Sequence, residues 1–271
     1  MALYSIKNNL HLATLKTLSL VSISVMSPQQ SVQELFRTAD CVCFDVDSTV
    51  IRDEGIDELA RFCGKGEEVK RLENPFLSKH NRIVTVFEAQ TAEAMGGSMT
   101  FQEALKKRLD IIRPSVSQIR EFIDTFPNHL TPGVSQLVKT LQERGVQVYL
   151  VSGGFRCLIE PVAAQLNIPK GNVFANRLKF YFNGEYAGFD ENEPTSRSGG
   201  KGLVIRRLKE QFGYQRVVMI GDGATDAEAS PPADGFIGFG GNVLREEVRK
   251  RASWYVTDFQ ELITSLTLQT K

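Results

Sequence analysis

The sequence predicts an α/β fold in which a doubly wound, Rossmann-like parallel sheet carries a helical cap inserted after its first strand. Three apolar runs, at residues 41–44, 146–151 and 217–220, each end abruptly in polar or glycine-rich residues. Helical patterns alternate with these runs, which favours a parallel sheet covered by helices on both faces. Residues 53–130, between the first run and the helix that returns to the sheet, show helical periodicity and predict the cap.

Length and composition narrow the class of protein. The chain has 271 residues and is 42% hydrophobic, which is enough for one large domain or a domain with an insert. Its 32 basic and 32 acidic residues balance, and a nucleic-acid-binding surface would show a basic excess. The four cysteines, Cys41, Cys43, Cys63 and Cys157, form no CxxC pair. Cys41 and Cys43 lie on the predicted central strand, so we expect them to be buried thiols in a reducing compartment rather than disulfides or metal ligands.

The chain divides into three predicted parts. Residues 1–25 contain no Asp or Glu, and Lys16 interrupts their apolar stretch, so we expect an extension that is either disordered or a targeting sequence, and not a membrane span. Residues 26–52 and 131–271 form the predicted catalytic core, and residues 53–130 the cap. We expect a cytoplasmic protein and leave an organellar role of the extension open.

In the first half of the chain, residues 32–38 predict a short helix that precedes the strand at 41–44. Apolar residues at positions 56, 59, 60 and 63 follow helical spacing, and residues 101–112 and 116–126 predict two further helices. Arg108 lies within the apolar stripe of the first of these two. A buried arginine is costly unless it is paired. It therefore either meets an anionic ligand, pairs with a structural Glu, or extends its head to solvent.

In the second half, helices are predicted at residues 133–144, 158–166 and 201–212. Residues 172–189 alternate around Asn183-Gly184, which indicates a β-hairpin. Short strands at 236–239 and 254–256 with a helix between them, and a last helix ending near residue 268, complete the pattern.

Two carboxylates follow the first strand directly, at Asp45 and Asp47. In an extended segment, side chains two residues apart point the same way, so both can converge on one hard cation such as Mg²⁺. Alternatively, this DVDST segment is a turn in which Asp and Ser bond to their own backbone. Three later segments, SGG at 152–154, GGK at 199–201 and GDGATD at 221–226, favour the catalytic interpretation, because they also stand at strand ends or open a helix.

These four motifs, in this order, resemble those of the haloacid dehalogenase-like hydrolases. DEGIDEL at 53–59, AMGG at 94–97, SGGFR at 152–156 and FANR at 174–177 narrow the resemblance to the phosphoserine phosphatase family, over residues 26–268. The resemblance implies magnesium-dependent hydrolysis of O-phospho-L-serine to L-serine and phosphate, the last step of L-serine biosynthesis.

The resemblance also implies roles for individual residues. Asp45 matches the nucleophile that becomes an aspartyl-phosphate, and Asp47 the general acid and base. Asp45, Asp47 through its backbone carbonyl, and Asp222 match the Mg²⁺ ligands, with Asp226 in the second shell. The substrate- and phosphate-binding positions are Glu54, Met95, Gly96, Arg108, Ser152, Gly153, Gly154, Lys201, Thr225 and Arg245.

One departure from the family pattern bears on activity. Residues 73–90 are extra relative to the family, and they stand beside Met95. A phosphatase for another small phosphate monoester, or a variant that binds ligand without turnover, therefore stays open. A dinucleotide-binding protein is disfavoured because the 221–226 segment lacks the third glycine of GxGxxG. We expect a small-molecule partner, no nucleic acid and no membrane, and leave a homodimer open.

Overall fold

A computed structural model describes residues 26–73, 100–127 and 129–267. The predictions for residues 1–25, for Met95 and Gly96, and for nearly all of the extra segment lie outside these ranges. The strands are β1 (Cys41–Phe44), β2 (Gln147–Phe155), β3 (Val173–Asn176), β4 (Leu178–Phe180), β5 (Tyr186–Phe189), β6 (Val217–Gly221), β7 (Gly235–Phe239) and β8 (Trp254–Val256).

The helices cover much of the remaining described chain. They are α1 (Pro28–Arg37), α2 (Gly55–Phe62), α3 (Gly66–Glu73), α4 (Phe101–Ile112), α5 (Val116–Thr125), α6 (Val134–Glu143), α7 (Arg156–Gln165), α8 (Gly200–Phe212), α9 (Ala224–Ala227), α10 (Glu246–Arg251) and α11 (Phe259–Thr267). The helix predicted at 32–38 begins earlier, at Pro28, because Ser27 and Gln30 form a capping box.

Six strands form one parallel sheet in the order β3-β2-β1-β6-β7-β8. The predicted parallel α/β fold is confirmed. β1 lies inside the sheet, and all four of its side chains are buried. Because the strands are parallel, the residues that follow β1, β2 and β6 emerge at the same edge of the sheet.

The two faces of the sheet carry separate hydrophobic clusters, as alternation along a strand requires. Val42 and Phe44 of β1 pack into the cluster on one face, with α1, α6, α7 and α11. Cys41 and Cys43 pack into the cluster on the other face, with α8. Cys41 and Cys43 are buried and free, as predicted, and their Sγ atoms lie 3.9 Å apart; Cys63 and Cys157 are also free and are partly buried.

A third hydrophobic cluster joins α2, α3, α4 and α5. It includes Phe155 at the end of β2 and Tyr186 and Phe189 of β5, so this helical layer packs directly against the edge of the sheet where the predicted site lies. The segment predicted as one hairpin at 172–189 contributes to two different sheets. β3 joins the parallel sheet, and only β4 and β5 pair as an antiparallel hairpin.

Two short linkers connect the helical layer to the sheet. One leaves the site at residues 50–53 and the other returns at 129–131. Arg52 N donates to His129 O at 2.9 Å and Thr131 N donates to Val50 O at 2.9 Å, so the linkers run side by side. Among the described helices, none is both long and apolar enough to cross a bilayer.

Candidate active site

Asp45 is the first residue beyond β1, and strand pairing fixes its backbone. Its N–H donates to Ile220 O at 2.9 Å, which ties it to β6. Its side-chain Oδ1 accepts hydrogen bonds from Val46 N at 2.7 Å and contacts Lys201 Nζ at 2.8 Å. The carboxylate is therefore held by one backbone donor and one ammonium group, at 8% exposure.

Asp47 lies beside Asp45 but is held by other elements. Its Oδ1 accepts from Gly55 N at 2.8 Å, at the start of α2, and its Oδ2 accepts from Ser152 Oγ at 3.3 Å. Burial, and then the negative charge of Asp45, raise the pKa of Asp47 to about 7. A carboxyl group with this pKa can keep its proton near neutral pH.

Three carboxylates converge at the sheet edge. Asp45, Asp222 directly after β6 and Asp226 in α9 each offer an oxygen, and these oxygens lie within 4.8 Å of one another. The Asp47 side chain is not part of this group, and the role expected for its backbone carbonyl stays a prediction. Asp226, expected in the second shell, has its carboxylate in the cluster itself.

The charges in this cluster are only partly compensated by the protein. Lys201 Nζ lies 2.8 Å from Asp45 and 2.6 Å from Asp226. Burial lowers the pKa of Lys201, but these two carboxylates outweigh it and leave that pKa raised. Burial raises the pKa of Asp222 to about 7 despite Arg245, and burial together with Asp45 raises the pKa of Asp226. Oxygen ligands with a surplus of negative charge fit a hard divalent cation.

The last residues of β2, from Ser152 to Phe155, border Asp47. Ser152 is fully buried, and its hydroxyl accepts from Gly154 N at 2.9 Å while it donates to Asp47. A Cβ on Gly154 would lie 2.7 Å from Asp47 Oδ2, so glycine is required for this close approach. The Ser152 hydroxyl therefore orients Asp47 and the backbone at Gly154. Gly153 and Gly154 line the cavity.

Asn176 and Thr195 support this end of β2 through hydrogen bonds, and no role was predicted for them. Asn176 Nδ2 donates to Gly153 O at 2.7 Å, and Thr195 Oγ1 donates to Asn176 Oδ1 at 2.9 Å. The FANR motif includes Asn176, but no sequence pattern pointed to its partner Thr195.

The helical layer supplies a second set of charged groups. Glu54 accepts from Ser48 Oγ at 2.8 Å and lies 3.6 Å from Arg245 Nη2; Arg245 Nη1 donates to Asp222 at 2.7 Å. Burial, and then Asp47, raise the pKa of Glu54 to about 8. Arg108 in α4 is only 4% exposed, so it does not extend its head to solvent.

One cavity brings both sets together. The predicted residues that line it are Asp45, Asp47, Glu54, Arg108, Gly153, Gly154, Lys201, Asp222, Thr225 and Arg245. Its wall also includes residues that the sequence analysis did not single out, among them Ile56, Phe101, Leu105 and Arg197. Phe101 and Leu105 share the stripe of Arg108, seven and three residues before it, so that stripe could have identified them.

Comparisons with known proteins agree with this geometry. The family model for hydrolases described as haloacid dehalogenase-like hydrolase matches residues 39–234. A Mus musculus protein named phosphoserine phosphatase is 57% identical over 241 residues, which cover 89% of this chain and 99% of the relative. The chain belongs to the phosphoserine phosphatase family of haloacid dehalogenase-like hydrolases.

Two solved structures of this phosphoserine phosphatase family are similar in fold. One, described as a substrate-bound phosphoserine phosphatase complex, has a TM-score of 0.67 at 25% identity and covers 84% of this chain and 99% of its own. The other, described as a phospho-aspartyl intermediate analogue of phosphoserine phosphatase, has a TM-score of 0.66 at 26% identity with the same coverage.

Proposed function

We propose that this protein hydrolyses O-phospho-L-serine to L-serine and phosphate, with Mg²⁺ as cofactor and an aspartyl-phosphate on Asp45 as intermediate. The observation that carries the proposal is the single cavity that joins Asp45 and Asp47 of the sheet edge to Glu54 and Arg108 of the helical layer. The name of the mouse relative and the descriptions of the two solved structures support the same substrate and intermediate.

The charges around the cavity match those of phosphoserine. A guanidinium group binds a carboxylate through two parallel hydrogen bonds, so we assign the substrate α-carboxylate to Arg108. Glu54 can accept the α-ammonium group, whose positive charge would also favour the ionised form of this carboxyl. We assign the dianionic phosphoryl group to Lys201 and to the part of the cavity wall formed by Gly153 and Gly154.

In the first step, the Asp45 carboxylate attacks phosphorus and the bond from phosphorus to the serine oxygen breaks. Oδ1 of Asp45 is already held by Val46 N and Lys201, so we assign the attack to Oδ2. Asp47 gives its proton to the departing serine oxygen, because its raised pKa keeps it protonated. Proton transfer of this kind contributes about 10²- to 10⁴-fold.

In the second step, a water molecule attacks phosphorus of the aspartyl-phosphate. Asp47, now a carboxylate, takes a proton from this water, the bond from phosphorus to Asp45 breaks, and phosphate leaves. Asp47 is protonated again and Asp45 is a free carboxylate, so the site returns to its starting state.

The cofactor would be held by the side chains of Asp45, Asp222 and Asp226 together with the backbone carbonyl of Asp47. When bound, Mg²⁺ supplies positive charge that offsets repulsion between the phosphoryl group and the carboxylates. The place of the reaction as the last step of L-serine formation, a cytoplasmic location and a homodimer remain predictions.

Phosphate release from a panel of substrates tests this function. We expect O-phospho-L-serine to exceed O-phosphoethanolamine, which lacks the α-carboxylate, and glycerol 3-phosphate, which lacks both α-groups, in kcat/KM by about 100-fold or more, since only phosphoserine satisfies all three charged subsites. Equal rates across the panel would assign the protein to another phosphate monoester. The same assay on a chain that lacks residues 73–90 tests the remaining alternative, because turnover only after the deletion would identify the full chain as an impaired binder.

A further inference from the structure

The loop at residues 240–245, which follows β7, is closely packed. A Cβ on Gly240 would collide with the hydroxyl group of Tyr255, and a Cβ on Gly241 with the ring of Phe239 and with Thr257 O. Glycine at both positions therefore allows the backbone to lie against β8. The loop ends in Arg245, which contacts Asp222 and Glu54, so its path affects the site directly.

Asn242 projects from this loop onto both linkers of the helical layer. Its Nδ2 donates to Ser48 O at 3.0 Å on the outgoing segment and to Thr131 Oγ1 at 2.7 Å on the returning one. A longer contact of 3.4 Å reaches Ile51 O. One side chain thus connects the core to the two segments that join the helical layer to the sheet.

Thr131 extends these contacts toward the carboxylates. Its buried hydroxyl donates to Thr49 O at 2.6 Å, and Thr49 Oγ1 donates to Asp222 Oδ1 at 2.8 Å. Ser48, whose carbonyl Asn242 binds, adopts the left-handed conformation with φ +54° and donates to Glu54 through its hydroxyl. The contacts of Asn242 therefore lead to Asp222 on one side and to Glu54 on the other.

We propose that Asn242 and Thr131 are a positioning pair that holds Glu54, and with it the entrance of α2, in register with the carboxylates at the sheet edge. Neither side chain is among the residues that line the cavity. They act through the segment 46–54, because three of its backbone carbonyls accept from the pair: Ser48 O and Ile51 O from Asn242, and Thr49 O from Thr131. The expected change in kcat/KM rests on the proposed function, whereas the expected change in the linkers does not.

Loss of the pair should affect the recognition of serine more than the chemistry at phosphorus. A small displacement of a binding group costs up to about 100-fold in rate, whereas Asp45 and Lys201 stay fixed by the sheet. We expect Asn242→Ala to lower kcat/KM for O-phospho-L-serine by about 10- to 100-fold, mainly through KM, and to lower that for p-nitrophenyl phosphate much less.

Four variants of the full chain separate positioning from general stability. Thr131→Val removes the hydroxyl group and should reproduce the effect of Asn242→Ala. Thr131→Ser keeps the hydroxyl group and should have an activity near that of the wild type. Asn172→Ala is the matched control, because Asn172 Nδ2 also donates to a backbone carbonyl, Val148 O at 2.9 Å, but does so away from the cavity. It should lower the melting temperature without changing the ratio of the two substrates.

Hydrogen exchange provides a readout that does not depend on the substrate. The amides of Ile51, Arg52 and Thr131 bond between or within the linkers and should exchange faster in Asn242→Ala and Thr131→Val than in Asn172→Ala. Unchanged exchange, or an equal loss with both substrates, would overturn the proposal. If the wild-type chain does not hydrolyse phosphoserine, the proposed function fails, while faster exchange in these variants would still support the positioning pair.

Discussion

The sheet edge and the helical layer contribute to the same cavity, but the protein holds them in different ways. Asp45, Asp222 and Lys201 stand at the ends of parallel strands or in the first turn of a long helix, within a few residues of the core. Glu54 and Arg108 reach the cavity from helices that join the sheet through two linkers. The hydrogen bonds from α4 to residues 191–196 of the core are long, with Gln102 Nε2 at 3.4 Å from Glu191 O and 3.5 Å from Ser196 Oγ. The difference indicates that the nucleophile and the carboxylate cluster are fixed by the sheet and that substrate selection depends on how the helical layer is positioned.

The largest expected effect comes from Asp45→Asn, which removes the nucleophile from the sheet side. Turnover of every substrate should fall by about 10⁵-fold or more, the scale seen when a covalent nucleophile is lost. Acid quenching with ³²P-labelled phosphoserine should trap a phosphoenzyme in the wild type and none in the variant. Label that remains on the variant would assign the nucleophile to another residue.

Asp47→Asn tests the proton transfer assigned to the same edge. Phosphoserine turnover should fall by about 10²- to 10⁴-fold, because the serine alkoxide needs a proton to leave. p-Nitrophenolate leaves without one, so p-nitrophenyl phosphate should give a burst of product followed by a slow steady rate. Equal steady rates with and without Asp47, and no burst, would contradict its role in cleaving the aspartyl-phosphate.

Arg108→Ala tests the helical side. We expect kcat/KM for O-phospho-L-serine to fall by about 100-fold, since a buried charge-assisted pair is worth about 3 kcal/mol, while p-nitrophenyl phosphate is affected less. Lys107→Ala, which removes an exposed cation from the same helix, is the matched control and should leave both activities near those of the wild type. Proportional losses on the two substrates would remove Arg108 from serine recognition.

The smallest expected effect is the change with pH in the free energy of unfolding of the metal-free protein. It measures the repulsion among the buried carboxylates where the two regions meet. The pKa values of Asp47 and Asp222 are raised from 3.8 to about 7, and that of Glu54 from 4.5 to about 8. The folded state therefore binds more protons than the unfolded state at intermediate pH. Stability from this source is fully present below about pH 4 and is lost as the pH rises through 7 to 8.

Urea unfolding in EDTA at pH 5 and pH 8 measures this effect. We expect the free energy of unfolding to be lower at pH 8 than at pH 5, and added Mg²⁺ to restore stability mainly at pH 8, where its ligands are ionised. Asp222→Asn should reduce both differences. A free energy of unfolding that rises from pH 5 to pH 8 in EDTA would contradict the charge crowding.

Comparison of individual elements shows what local sequence patterns could predict. The strand at 41–44 and the helix at 101–112 have the predicted bounds, because each is encoded by a continuous apolar run or stripe. Residues 172–189 were harder, because β3 has the same local pattern as a hairpin strand and only its pairing with β2 places it in the parallel sheet. Asp226 is a similar case: its position along the chain was evident, but its distance to Asp45 depends on how α9 packs.

The sequence by itself determined the parallel α/β fold, the order of the motifs and the residues able to carry charge at the ends of the strands, because periodicity and motif spacing are local properties of the chain. Only the tertiary structure decided that the Ser152 hydroxyl orients Asp47 and that Asn242 binds both linkers. These contacts join residues more than 100 positions apart, and their geometry is fixed by packing, which no local pattern records.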